Sequence, residues 1–335
     1  MAWAGKKIGM AVSILKNTAK GFFAHHGTYC PFLWDSVFID QRGDVFICCH
    51  AKPGKIGNIY RQSLRSLWIR SSRLKVFRFM SLHNCLYCFS GCTRIPVDGR
   101  DGSASHPVHS GYPKRLWIQY SEFCNLDCIM CGQNHRSRVS LDNVCLKKHI
   151  EWDLVEDIEL QGGEILVHKN ARELYHWLTR CMHKKVNLIT NGLFLDDEWA
   201  DYLVGGSNRI VISVNAATAK THECVNRGSD FTKVINNIRR LVGLKHKHAS
   251  VVSIVYKFTI VPQNVHEISG AIQLADALGC DKIQFGYDST MPGFLEENKD
   301  KKCLIRDELN QLMSGDNLKI EIGRHRLILL GFLDT

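Results

Sequence analysis

The chain has 335 residues, about twice a usual domain length, of which 45% are apolar and 23% charged. That is a globular composition able to bury a sizeable core, and it excludes a disordered tail, a collagen-like chain and a coiled coil. Against 33 acidic residues stand 43 basic ones, a net charge of +10 that reads as a solvated surface, so nucleic acid is not an expected partner.

No apolar run reaches the roughly 18 residues of a membrane span, so no membrane partner is expected either. Residues 1–25 form a basic N-terminal segment. Its apolar stretch, 8–15, is ended by Lys16 with no small-residue cleavage site after it. The chain is therefore expected to be cytoplasmic, with its 14 cysteines reduced. The cysteines cluster, and clustered reduced thiols point to metal.

Residues 26–96 hold Cys30, Cys48, Cys49, Cys85, Cys88 and Cys92. Short strands are expected over 36–39 and 44–48. A helix is expected over 63–80, where Leu64, Leu67, Trp68, Leu74 and Phe77 recur near helical spacing. Residues 97–113, rich in Gly, Ser, His and Pro, read as a linker.

From residue 114 the pattern alternates. Strands are expected over 115–120, 157–161, 186–190, 209–214, 252–261 and 282–287. Helices are expected over 145–152, 170–183, 196–203, 231–242 and 265–278. Several strands are continuous apolar runs, as strands covered on both faces are. Strand–helix repeats with right-handed crossovers give a parallel sheet. The fold class is therefore α/β: a partial (β/α)6, TIM-like barrel over 114–290, preceded by the small cysteine-rich module. Residues 291–335 add a helix and strand extension, with a strand pair at 319–330 around Gly323 and Arg324. Sites of such sheets lie at the C-terminal strand ends.

The first strand runs into SEFCNLDCIMCGQ, which places Cys124, Cys128 and Cys131 as C-x3-C-x2-C on one short loop. Three thiolates on one loop are a soft donor set for iron–sulfur or zinc. The second strand ends in Gly162, Gly163 and Glu164. The glycines allow close backbone approach, or simply a turn, and the carboxylate can pair with an ammonium. The third strand ends at Thr190 and Asn191, followed by Gly192, a turn signal or a piece of site wall.

These motifs resemble the radical S-adenosylmethionine (radical SAM) superfamily, whose signature is C-x3-C-x2-C after the first strand. The resemblance implies a [4Fe-4S] cluster on Cys124, Cys128 and Cys131, with one iron left for SAM. It implies reductive cleavage of SAM to methionine and a 5′-deoxyadenosyl radical that abstracts hydrogen from a substrate. Met130 stands where the family commonly has an aromatic. By the same resemblance, Gly162, Gly163 and Glu164 hold the methionine amino group, and Ser213 and Arg227 the carboxylate. Asn215 could contact the ribose, and Val261 and Tyr287 lie near the adenine. Core packing is the alternative for Val261 and Tyr287, and a surface position for Arg227.

The first module, with Gly43 five residues before Cys48, then KIGNIYRQSLRSLW and NCLYCFSGC, closely resembles the SPASM/twitch module of auxiliary iron–sulfur clusters. Cys30, Cys48, Cys85 and Cys88 would supply one auxiliary [4Fe-4S] cluster, the twitch form. The G-x4-C spacing favours Cys48 over Cys49, and Cys92 has no assigned role. A zinc ribbon on the same four thiolates is the alternative. In most relatives this module follows the barrel; here it precedes it.

The expected function is radical SAM oxidation of a peptide or a small metabolite such as a sugar or aminocyclitol. The auxiliary cluster would accept the electron, and a flavodoxin or ferredoxin would serve as reductant. No catalytic acid or base is assigned. The alternative is a non-catalytic zinc or iron–sulfur protein, one that could bind RNA.

Overall fold

The structure is a computed structural model that describes residues 30–49, 54–82, 111–315 and 318–334, with the backbone of two further strands at 25–28 and 86–88. It divides into two compact units: the chain to Trp117 with Val144–Glu156, and Ile118–Asn143 with Asp157–Thr335. Among the described residues no helix is long and apolar enough to cross a membrane.

The first unit contains β1 (His25–Thr28), β2 (Ser36–Ile39), β3 (Asp44–Phe46), β4 (Lys55–Asn58), α1 (Leu64–Arg70), α2 (Ser72–Leu82) and β5 (Leu86–Cys88). Strands β2, β3 and β4 form an antiparallel meander, with Phe38 opposite Phe46 and Val45 opposite Gly57. The β2–β3 turn is tied by Asp40, whose carboxylate accepts from Arg42 N and Asp44 N, both at 2.9 Å. Gly43 supplies the positive φ of +76° that this turn needs.

The helix expected over 63–80 is two helices. Ser71 leaves helical geometry (ψ 112°), and its hydroxyl accepts from Leu74 N at 3.2 Å, which starts α2 afresh. The expected apolar stripe is nevertheless buried on both helices. Arg78 lies on it, with its guanidinium 4.3 Å from the Trp68 ring centroid and its Nε donating to Leu33 O at 2.8 Å.

Strand β6 (Arg115–Gln119) gives its first three residues to this unit and its last two to the second. Helix α3 (Asn143–His149) lies in the first unit from Val144.

The second unit continues with β7 (Asp157–Gln161), α4 (Lys169–His176), β8 (Val186–Thr190), α5 (Asp197–Gly206), β9 (Arg209–Ser213), α6 (Ala219–Val225) and α7 (Phe231–Lys247). It closes with β10 (Ser253–Ile260), α8 (Ile268–Ala277), β11 (Lys282–Tyr287), α9 (Met291–Glu297), α10 (Lys299–Met313), β12 (Glu321–Gly323) and α11 (His325–Leu329). The strands follow one another across the sheet in chain order from β6 to β12, and those from β7 onward pair in parallel. The sequence predicts six strands here; β12 is a short seventh.

Two segments differ from expectation. The helix expected over 170–183 is α-helical only to His176 and widens into a π-helical turn at Trp177–Cys181. The strand pair expected at 319–330 is instead β12 followed by α11. Leu327, Leu330 and Phe332 all bury, and Leu327 and Leu330, three residues apart, share a helical face as they could not in a strand.

Candidate functional site

The loop that leaves β6 carries Cys124, Cys128 and Cys131, and other strand ends hold its backbone. After β7, Glu164 N donates to Phe123 O at 3.0 Å, and Gly163 N donates to Gln133 Oε1 at 2.7 Å. After β8, Asn191 Nδ2 donates to Asn125 Oδ1 at 3.0 Å and comes within 3.9 Å of Cys124 Sγ. At the end of α6, Val225 O and Arg227 O accept from Ile129 N and Asp127 N, each at 3.0 Å.

Gly162 and Gly163 have φ of +102° and +53°. A Cβ on Gly163 would lie 1.9 Å from Phe123 O, and one on Gly162 2.6 Å from Ser121 O. Both glycines are therefore required by the passage of the cysteine loop's own backbone.

The three thiols feel one another. Burial, then the charges of Cys124, Cys131 and Asp127, push the Cys128 thiol up to about 12. Burial first, and then Glu164 and Cys131, raise that of Cys124 against the hydrogen bond its sulfur accepts from Leu126 N at 3.4 Å. Thiolates here need a positive centre, and a coordinated metal deprotonates its thiols outright. Among the described residues no three His, Cys, Asp or Glu side chains close on one point as a single ion requires. A four-iron cube takes each thiolate on a different iron, and three thiols on one short loop are a donor set that suits it.

Glu164 is fully buried, with its side chain turned inwards. Its Oε1 accepts from Leu166 N at 3.0 Å and Thr190 Oγ1 at 2.6 Å, and its Oε2 from Asn191 N at 2.6 Å. Burial raises its carboxyl against these bonds. In this position it joins the ends of β7 and β8 and sets Asn191 against the cysteine loop. Glu164→Gln would turn an amide N–H against Asn191 N–H, and we expect a loss of about 1–3 kcal/mol in urea unfolding. Unchanged stability with weakened SAM binding would instead make the carboxylate a direct ligand.

Asn215, at φ +61°, is also committed inward. Its Nδ2 donates to Asn226 Oδ1 at 3.0 Å, its Oδ1 accepts from Thr259 N at 2.7 Å, and its carbonyl accepts from Asn264 Nδ2 at 2.8 Å. Beside this network His222 is fully buried. Its Nδ1 lies 2.7 Å from Val214 O and its Nε2 2.8 Å from Ser229 Oγ. Burial lowers its imidazole, so the neutral ring holds the turn that carries Arg227.

Ser213 stands half-buried at the end of β9, and Arg227 is exposed. Val261 is buried, and its N–H donates to Asn264 Oδ1 at 2.8 Å. Tyr287 lies under the Arg326 guanidinium, 5.2 Å from its ring centroid.

In the first unit, Cys30 is buried before a 3₁₀ turn, with its N–H on Ser81 Oγ at 2.8 Å. Cys48 and Cys49 follow β3 and are half-buried. Cys88 is described through its backbone, opposite His25; Cys85 and Cys92 lie outside the described residues.

Sequence reasoning missed Gln133, His222 and Asn226, which leave no motif in the sequence.

Comparison with known proteins gives the following relatives. A curated relative, the probable GTP 3′,8-cyclase of Saccharolobus islandicus, is 24% identical over 175 residues, 50% of this chain and 54% of that protein. The GTP 3′,8-cyclase of Peptoclostridium acidaminophilum is 28% identical over 144 residues, 38% of this chain and 43% of that one. The chain thus spans about half the length of the curated relatives it matches. Among solved structures, Streptococcus suis SuiB bound to precursor peptide SuiA aligns at TM-score 0.48 and 16% identity, over 63% of this chain and 48% of that one. The AdoMet-bound anSMEcpe aligns at 0.44 and 18%, over 66% and 67%. Residues 118–275 match the radical SAM superfamily model and residues 30–93 the SPASM iron–sulfur cluster-binding domain model, so the chain belongs to the radical SAM superfamily and carries its SPASM module ahead of the SAM-binding domain.

Proposed function

We propose that the chain is an oxidative radical SAM enzyme acting on a small metabolite or a peptide, with an auxiliary cluster as electron acceptor. The observation that carries the reading is the cysteine loop clamped by the ends of β7, β8 and α6 at the C-terminal edge of a parallel sheet. The [4Fe-4S] cluster, when bound and reduced, supplies the electron that splits SAM into methionine and the hydrogen-abstracting 5′-deoxyadenosyl radical.

Cys124, Cys128 and Cys131 hold that cluster. Gly162 and Gly163 keep their backbone close to the loop, and Glu164 orients it. Ser213 and Arg227 face the SAM carboxylate, Asn215 fixes the backbone beside the ribose, and Val261 and Tyr287 line the adenine. Cys30, Cys48, Cys85 and Cys88 hold one auxiliary cluster in the module over 26–96. The names of the curated relatives, GTP cyclases, weigh for the small-molecule side of the substrate choice. A flavodoxin or ferredoxin supplies the electrons.

The test is the appearance of 5′-deoxyadenosine and methionine from SAM, with dithionite as reductant, in anaerobically reconstituted protein. Wild type is expected to form both, and Cys128→Ala to form neither. A fully iron-loaded wild type that forms neither overturns the reading.

A further inference from the structure

The charge of this chain is not spread evenly. Residues 45–97 hold nine lysines and arginines and no aspartate or glutamate, while the other residues hold 34 basic and 33 acidic ones. Nearly all of the net charge of +10 thus belongs to the segment that contains α1 and α2. A one-signed field of this kind favours a partner of the opposite sign.

Helix α2 buries Leu74, Phe77, Arg78, Met80 and Ser81. Its other face, with Ser72, Arg73, Lys75, Val76, Phe79 and Leu82, is exposed. At helical spacing Val76 and Phe79 share the middle of that face, with Arg73 on one side and Lys75 and Leu82 on the other. At the end of α1, Ile69 and Arg70 are exposed as well. The four apolar side chains Ile69, Val76, Phe79 and Leu82 are each 39–45% exposed.

The basic groups of this region divide in two. Lys55 pairs with Asp44 and Arg65 with Glu151, and Arg78 lies buried against the Trp34 and Trp68 rings. Arg61, Arg70 and Lys75 are exposed with no ion-pair partner among the described residues, and Arg73 donates to a carbonyl, Lys55 O, at 2.9 Å. An apolar centre rimmed by arginine and lysine fits a protein surface, whereas nucleic acid offers phosphates and a wet, polar contact.

The buried face of α2 indicates what kind of protein. There Ser81 Oγ accepts from Cys30 N at 2.8 Å, and β5, which carries Cys88, begins four residues after the helix ends. A protein seated on the outer face stands one helix width, about 10–12 Å, from Cys30.

We propose that the outer face of α2, with the end of α1, docks an acidic ferredoxin-type electron carrier. The inference rests on the reading of the auxiliary cluster as electron acceptor and supplies the step after it. The electron taken from the substrate passes from the reduced cluster to the oxidised carrier, one lost for one gained, with no proton moved and no bond made or broken. Ile69, Val76, Phe79 and Leu82 form the dry centre of the contact, and Arg70, Arg73 and Lys75 steer the carrier's carboxylates.

The test is calorimetric titration of an oxidised, acidic [2Fe-2S] ferredoxin into the anaerobically reconstituted full chain, at about 50 mM and about 500 mM salt. Wild type is compared with Arg70→Glu/Lys75→Glu, the milder Arg70→Gln/Lys75→Gln, and Val76→Ser. The control is Lys220→Glu/Lys247→Glu, two exposed residues of the second unit whose reversal changes the net charge equally. Wild type is expected to bind, and to bind about tenfold or more weakly at the higher salt. The Glu pair is expected to weaken binding about tenfold or more, the Gln pair and Val76→Ser roughly threefold, and the control pair less than about twofold, all with the wild-type urea midpoint. In chains reduced by dithionite and then freed of it, cluster reoxidation by excess ferredoxin is expected to slow in the same order.

No binding to wild type, binding indifferent to the Glu pair, or an equal loss in the control pair overturns the proposal. So does a single-stranded RNA or a phosphatidylserine vesicle that binds through Arg70 and Lys75 where ferredoxin does not. Bound ferredoxin that fails to reoxidise the cluster overturns the electron step. A chain that docks ferredoxin through this face yet forms no 5′-deoxyadenosine from SAM removes the radical reading and leaves the docking face standing.

Discussion

Gly163→Ala is expected to destabilise the second unit by roughly 3 kcal/mol and to strip most of the iron from the cysteine loop. The added methyl would stand 1.9 Å from Phe123 O, a backbone atom that cannot swing aside as a side chain does. The φ of +53° adds the left-handed penalty of any residue with a Cβ. To relieve the contact the chain must give up the Glu164 N–H bond to Phe123 O, and with it the loop's tie to β7. Gly228 is the control. Its φ is +87°, but a Cβ there meets nothing nearer than Asn125 O at 3.7 Å, so Gly228→Ala should cost only about 1–2 kcal/mol and keep its iron. Urea midpoints and iron assays on the two variants measure the difference. Equal behaviour would show that backbone strain, and not the contact with Phe123, explains the Gly-Gly pair.

Replacing Cys124, Cys128 and Cys131 together by alanine is expected to lower iron from about eight to about four per chain, with sulfide in step, and to abolish SAM cleavage. The remaining iron would then sit in the SPASM module, which matches residues 30–93. Two other outcomes are informative. About four irons in wild type, all lost in the variant, would leave the module as a zinc or empty site and remove its electron-accepting role. Zinc without sulfide in both proteins would remove the radical chemistry altogether.

How much of this was legible in the sequence depended on how local the cause is. The strands at 157–161, 186–190 and 282–287 are found where expected, because a strand buried on both faces writes itself as an apolar run. The cysteine triad and the Gly-Gly pair were legible because their chemistry needs a fixed short spacing. The inward turn of Glu164 was not, since its partners Thr190 and Asn191 lie on the next strand. Nor was the commitment of Asn215, whose amide is spoken for by Asn226 and Thr259. In the tail, KIEIGRHRLILL alternates loosely enough to suit strand or helix, and burial of Leu327 and Leu330 on one side decided for a helix after β12.

The clamp at the end of β8 also bears on how the molecule ages. Asn191 precedes Gly192, the dipeptide most prone to deamidate, because an unhindered glycine amide can attack the asparagine side chain and close a succinimide ring. Here that amide is held by Thr190 Oγ1 at 3.0 Å, while the Asn191 oxygen accepts from Leu193 N at 3.0 Å and its nitrogen is held by Asn125 Oδ1. Ring closure would have to free the glycine amide from Thr190 and the departing side-chain nitrogen from Asn125. The fold thus shields a chemically fragile bond at the point where it needs that side chain intact, and each episode of local opening exposes it to irreversible wear.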